Sequence, residues 1–246
     1  MLSFLKNHPF AVEAFFERSI VLTFAAAKED VQPLIPECLA LDTFNDQWAF
    51  VAVAMVQTTG LRPKGFPQLF GNDFFLIGYR VFVRYASNDG RRLRGLYILK
   101  SETDNRKMEF FGNIFTHYKY TSTDIRQTQH EHQAEIQSMH SDFRVAIKTD
   151  AENVPLPEHS PFADWKEARR FAGPMPFTFT YNRETGKVLI IEGVRENWMP
   201  KPVQVTDYHI SFLNTLPLKA PVLANAFMIQ KIPYYWKKGR TEQWNG

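Results

Sequence analysis

The chain has 246 residues, 44% of them hydrophobic and 15% aromatic, with 22 phenylalanines. That is enough apolar material for one large core, and residues 1–246 are read as a single domain. Its 29 basic and 26 acidic residues leave a net charge of +3, too even a balance for the basic stripe of a nucleic-acid binder.

The one cysteine, Cys38, rules out an internal disulfide and a cysteine zinc site. It sits among apolar neighbours and reads as buried filler. The N-terminal stretch lacks a continuous apolar core and a small-residue cleavage site. No run approaches the roughly 20 apolar residues of a membrane helix. The expected compartment is therefore the cytoplasm, with no membrane partner.

In chain order, an apolar stripe with Pro9 near its start predicts a helix over residues 3–16. A strand is expected at 20–26 and a short helix at 28–35, stopped near Pro33 and Pro36. Residues 48–56 form a nearly unbroken apolar run, the pattern of a strand buried on both faces. Residues 61–69, with Pro63, Gly65 and Pro67, read as loop. Two alternating runs at 79–85 and 93–99 flank Asn88-Asp89-Gly90, a strong hairpin signal because Gly90 accepts positive φ. A third run, 114–120, is expected as a strand. Two short strands are expected within 133–148. Ser160 and Pro161 predict the start of a helix over 162–171, with Gly173-Pro174 as its stop. A second hairpin is expected from 177–181 and 187–191, and further strands at 203–212 and 226–236. The fold class is α+β, dominated by antiparallel sheet.

Several clusters invite a chemical reading. On a strand, His130 and His132 would share a face, with Glu131 and His140 nearby. The segment is polar, however, and offers no third and fourth ligand, so neither a metal nor an organic cofactor is expected. Nucleotide-loop and serine-hydrolase motifs are absent. The basic tail at 236–240 reads as solvated. Cations recur along the predicted strands: Arg80, Arg84, Arg94, Lys100 and Lys119. If they lean inward, they build a cavity for an anion or a carbonyl group; if they face water, they are solubilising charges. A lysine such as Lys119 attacks ketones only when burial or a nearby cation lowers its pKa.

The order of elements resembles the acetoacetate decarboxylase-like superfamily, and more particularly its bacterial branch of unknown function. The matching pieces are Arg18-Ser-Ile-Val-Leu, Leu34-Ile-Pro36 with Leu39, and the apolar run 48–56. They continue with Gly78-Tyr-Arg80-Val-Phe-Val83, Gly95-Leu-Tyr97 leading to Lys100-Ser-Glu-Thr-Asp104, and Phe115-Thr-His-Tyr118. The match spans roughly residues 15–125. It implies a closed, cone-shaped β-barrel with surrounding strands, a few helices and an enclosed cavity.

In the decarboxylases of this superfamily a lysine forms a Schiff base with a β-keto acid. The resemblance places that adjacent lysine pair on Tyr118 and Lys119, with His117 at the preceding proline. Tyr118 cannot form an imine, and a one-residue offset turns Lys119 to the other face. A shift of one residue would restore Lys119 as the nucleophile. Arg18 falls at the position of an arginine that holds substrate carboxylate, and Leu76 replaces a glutamate. The implied function is binding of a small anionic or carbonyl-bearing metabolite without Schiff-base decarboxylation. Arg18 and Arg80 would hold the anion, Tyr118 and His117 would add polar contacts, and Trp48 and Phe82 would wall the cavity. Two alternatives stay open: a keto-acid lyase using Lys119, and an interaction module whose barrel is filled by its own side chains. Homo-oligomer formation is also left open.

Overall fold

The computed structural model describes residues 5–150, 153–172 and 175–244. After a short 3-10 helix (Leu5–Asn7), the chain runs through β1 (Val12–Ala27), α1 (Lys28–Val31), a 3-10 turn (Gln32–Leu34), β2 (Ala40–Leu41) and β3 (Trp48–Pro63). The hairpin β4 (Asn72–Ala86) and β5 (Arg92–Thr103) follows, then α2 (Arg106–Phe115), β6 (Tyr120–Ser122), β7 (Arg126–His130), β8 (Gln133–Ser138) and β9 (Phe143–Lys148). The rest comprises α3 (Trp165–Ala172), β10 (Phe177–Asn182), β11 (Lys187–Arg195), β12 (Lys201–Pro202), β13 (Gln204–Ile210), α4 (Ser211–Asn214), β14 (Val222–Trp236) and β15 (Arg240–Gln243).

The large sheet runs β14-β1-β3-β4-β5-β10-β11, and β11 pairs again with β14. The seven strands thus close into a ring, the arrangement the sequence resemblance implies. Most neighbours are antiparallel; β5 is joined in parallel by β6 and β10. A separate four-stranded sheet, β13-β9-β8-β7, packs on the outer face of the ring. There Ile136, Val145 and Ile147 share a core with Ile20, Leu22, Val53, Ile77 and Val81. Alternate residues of the same ring strands face inward, among them Val21, Ala52, Ala54 and Phe82, and meet Phe162 and Phe171 from the segment around α3. The two faces of β3 show why a void survives. Its outward side carries Val51, Val53 and Met55, whereas Ala52 and Ala54 point inward and leave room.

The structure departs from the sequence expectations in four places. Residues 12–16 belong to a strand, not a helix, and residues 1–4 lie outside the described residues. Pairing with β3 on one edge and β14 on the other overrides the helical stripe, since strand preference follows context. Residues 114–120 are not a strand: they are the end of α2, a bend, and the first residue of β6. Asn105 caps α2 by accepting from the amides of Lys107 (2.8 Å) and Met108 (3.2 Å). The exposed rings of Phe110 and Phe111 blur the helix's amphipathic pattern. The third helix begins at Trp165, later than Ser160-Pro161 suggested. Asp164 accepts from the Glu167 amide while Glu167 accepts from Ala163 (both 2.8 Å), a reciprocal N-terminal cap. Ser160 instead donates to the Ala224 carbonyl at 2.7 Å. Its expected stop, Gly173-Pro174, lies outside the described residues. Finally, residues 61–63 continue β3 rather than starting a loop. Gly90 holds φ of +83°, as the hairpin turn requires.

Candidate binding cavity

The ring encloses a cavity of about 170 Å³. Apolar residues line most of it, including Val21, Ala54, Leu76, Phe82, Ile98 and Phe227. A small polar set shares the wall: Arg80, Arg195, Tyr118, Tyr120, Tyr234 and His8, with Ser101 and Thr178. Among the described residues that line it there is no aspartate, glutamate or lysine.

Arg80 is placed by the pleat of β4, where Phe74, Leu76, Arg80 and Phe82 all line the cavity. The β4–β5 register slips beside it, with Tyr79 opposite Lys100 but Arg80 opposite Ile98. Such bulges re-aim side chains at functional sites. Arg80 lies deep in the molecule and keeps some accessible surface because it borders the void. Its Nε is buried without a hydrogen-bond partner, and the guanidinium forms no ion pair or hydrogen bond among the described residues. Burial pushes its pKa down; Tyr234, Tyr120 and Tyr118 oppose that, and Arg195 adds to it.

Tyr118 and Tyr120 reach the cavity from either side of Lys119. Asn113 of α2 fixes this bend by bonding both the amide and the carbonyl of Tyr120 at 2.9 Å. Burial raises the pKa of both tyrosines, so their hydroxyls stay protonated donors. The Tyr118 hydroxyl is buried with no partner, although Thr178 stands close to it. Lys119 itself takes φ of +54° and is exposed. Both tyrosines line the cavity and the lysine faces outward, by a bend with positive φ at Lys119 and not by the strand alternation expected from the sequence.

Arg195 ends β11. Its Nη1 donates to the Tyr234 hydroxyl at 2.8 Å, and its guanidinium lies 4.4 Å from the Trp198 ring centre. Gly193 makes room for this pair, because a Cβ there would lie 2.0 Å from the Tyr234 oxygen. Arg195 and Tyr234 also border an outer cleft of about 580 Å³, lined by Glu13, Thr59, Arg62, Gln68 and Glu196. The Arg195–Tyr234 pair is therefore the partition between cleft and cavity. His8 is buried with Nε2 unpartnered, and burial lowers its pKa to about 4. It is a neutral imidazole at physiological pH.

Of the residues singled out from the sequence, Arg80, Tyr118 and Phe82 come together in the cavity wall. The others do not. Arg18 has the strand parity of Ile20 and Leu22, which face the second sheet, and bonds Gln129 (3.0 Å) and Gln127 (3.1 Å) there. Trp48 packs at the α3 side of the inner core without lining the void. His117 is half-buried in the bend outside the lining, its pKa lowered by burial and then by Lys6. His130 ends β7 and His132 sits in the turn that follows, so they do not share a strand, and His132 lies 3.1 Å from Asp150. Arg195, Tyr120, Tyr234 and His8 were missed. Only Tyr118 and Tyr120, two apart on one run, left a local signal.

The fold is that of acetoacetate decarboxylase. Acetoacetate decarboxylase from Legionella pneumophila matches with a TM-score of 0.63 at 11% identity, over 95% of this chain and 88% of that one. An acetoacetate decarboxylase-like enzyme from Sphingomonas wittichii RW1 matches at 0.58 and 9%, over 97% and 94%. The enduracididine biosynthesis enzyme MppR complexed with pyruvate matches at 0.55 and 10%, over 95% and 90%. No curated protein matches the chain. The profile of DUF2071, an uncharacterized conserved protein family, matches residues 14–233, and the chain belongs to that family.

Proposed function

We propose that this protein binds a small carboxylate-bearing molecule with an apolar body in its central cavity, without forming an imine. The observation that carries the reading is Arg80, a buried guanidinium with no counter-ion among the described residues. A buried charge is retained only when something compensates it, and a ligand carboxylate would do so through a bidentate, charge-assisted pair. The Tyr118 hydroxyl, buried and unpartnered, would donate to the same anion or to an adjacent carbonyl. The apolar lining would take the body of the ligand, the usual division of labour in a small-molecule pocket. A void of about 150 Å³ accepts a molecule the size of benzene, so 170 Å³ suits a body of similar size.

The exposed Lys119 and a lining without lysine speak against Schiff-base chemistry, and the open volume speaks against a barrel filled by its own side chains. Calorimetric titration with hexanoate, and with pyruvate because MppR is complexed with it, tests the proposal. Saturable binding that falls about tenfold or more in Arg80→Gln is expected, since a charge-assisted contact is worth about 1.5–3 kcal/mol. Binding that is indifferent to Arg80→Gln would sink it.

A further inference from the structure

Arg80 and Arg195 border the same cavity, and no acidic residue among the described ones lines it. Among the described residues Arg195 makes no ion pair. Its hydrogen-bonding partner is the hydroxyl of Tyr234 at 2.8 Å, and its Nε is buried and unpartnered. The acids of the adjoining cleft do not neutralise it either: Glu13 is held by Arg62 at 2.7 Å, and Glu196 forms no ion pair among the described residues. Two guanidinium groups in one mostly apolar wall repel each other, and a single carboxylate, even one that touches both, neutralises only one of their two charges.

We infer that the occupant is a dianion: a short dicarboxylate with one carboxylate at Arg80 and the other at Arg195. This rests on the reading that the cavity binds an anion at Arg80, and it specifies the class of ligand. The geometry supports it in two ways. Arg195 lies at the partition between the cavity and the outer cleft, so the second carboxylate sits at the mouth while the apolar chain spans the inner wall. The Trp198 ring, 4.4 Å from its guanidinium carbon, holds the group as a flat fork, the shape that takes a carboxylate through two parallel bonds.

The test is calorimetric titration with mono- and dicarboxylates of equal length: butyrate and succinate, hexanoate and adipate, octanoate and suberate. In the wild type, the dicarboxylate of the best-fitting length should bind at least about tenfold tighter than its monocarboxylate partner. Arg195→Gln should bring that ratio close to one. Arg195→Lys, which keeps the charge but loses the fork, should retain part of the preference and guards against misfolding of the Gln variant. A ratio near one at every length in the wild type overturns the dianion, and so does a preference that survives Arg195→Gln. If monocarboxylates still bind and depend on Arg80, the reading of a carboxylate site stands and only the dianion falls. If neither series depends on Arg80, both fall.

Discussion

Replacing Arg80 with methionine separates stability from binding. Methionine is unbranched and fills irregular apolar space, and its new neighbours would include Leu76 and Phe82 across the cavity wall. In proteins, stranding a buried charge without its partner costs about 3–5 kcal/mol. Here tyrosine hydroxyls and the void beside Arg80 offset part of that, so removing the charge should stabilise the empty protein by about 1–3 kcal/mol. For a domain of this size each kcal/mol moves Tm by about 2–4 °C, so a rise of roughly 2–12 °C is expected. Thermal unfolding followed by circular dichroism measures it, and hexanoate titration on the same samples should show binding lost. A lower Tm, or wild-type affinity in the variant, would refute the reasoning, because either shows that the charge is compensated within the fold.

Four further outcomes are expected. The unfolded chain protonates His8 near pH 6.5, but the folded chain does so only near pH 4, so its contribution is intact above pH 6.5 and is lost as pH falls to 4. The loss is on the order of 3 kcal/mol at 1.36 kcal/mol per pKa unit. Urea midpoints at pH 7 and 4.5 should diverge more in the wild type than in His8→Asn, whose asparagine tolerates the local φ of +52°; equal drops would count against burial as the cause. Asp42→Asn should destabilise by about 2–3 kcal/mol, because it strands Arg84 and Arg94 around a fully buried site, discounted for their partial exposure; an unchanged urea midpoint would contradict this. Gly193→Ala should force Tyr234 from its place, cost about 1–3 kcal/mol and weaken hexanoate binding, whereas neutral behaviour would mean that the partition is loose. Borohydride with acetoacetate should trap no imine. A single adduct on Lys119, removed by Lys119→Ala, would reinstate the lyase reading.

The ring was legible because strand alternation and turn chemistry are local properties. The β4–β5 hairpin and the β10–β11 hairpin both lie where their apolar periods and turn residues indicated. Helix α2 was not legible, since its cap is a single asparagine and two of its phenylalanines face solvent. The first strand was misread because its strand state depends on two distant partners, residues 48–63 and 222–236. The site divides the same way. Arg80 and Phe82 share a face by period-two logic within one strand, and Tyr118 follows from the lysine offset. Arg195 and Tyr234 meet only because β11 and β14 close the ring, a contact between Arg195 and Tyr234 that no local pattern encodes. Arg18 fails for the reverse reason: its strand slips register between Phe16 and Arg18, and parity then carries it to the outer face.

The way the molecule treats its other buried charges sharpens the argument for Arg80. Glu102 is buried on the outer face of β5, yet it accepts from Tyr79 at 3.0 Å and Ser141 at 2.7 Å and pairs with Lys100 at 2.7 Å. Asp42 has no exposed surface, and it is bridged by Arg84 at 2.6 Å and by Arg94. Among the described residues these two are the buried carboxylates, and each is supplied with cations or donors to match. Arg80 lies in the same sheet, one strand from Glu102, and is given tyrosines and a second arginine but no carboxylate. A fold that satisfies its buried charges on one face of a sheet has no structural need to leave one bare on the other. On the proposed function a ligand carboxylate supplies the missing negative charge, and the empty space beside Arg80, not the better-satisfied clusters, is where it would sit.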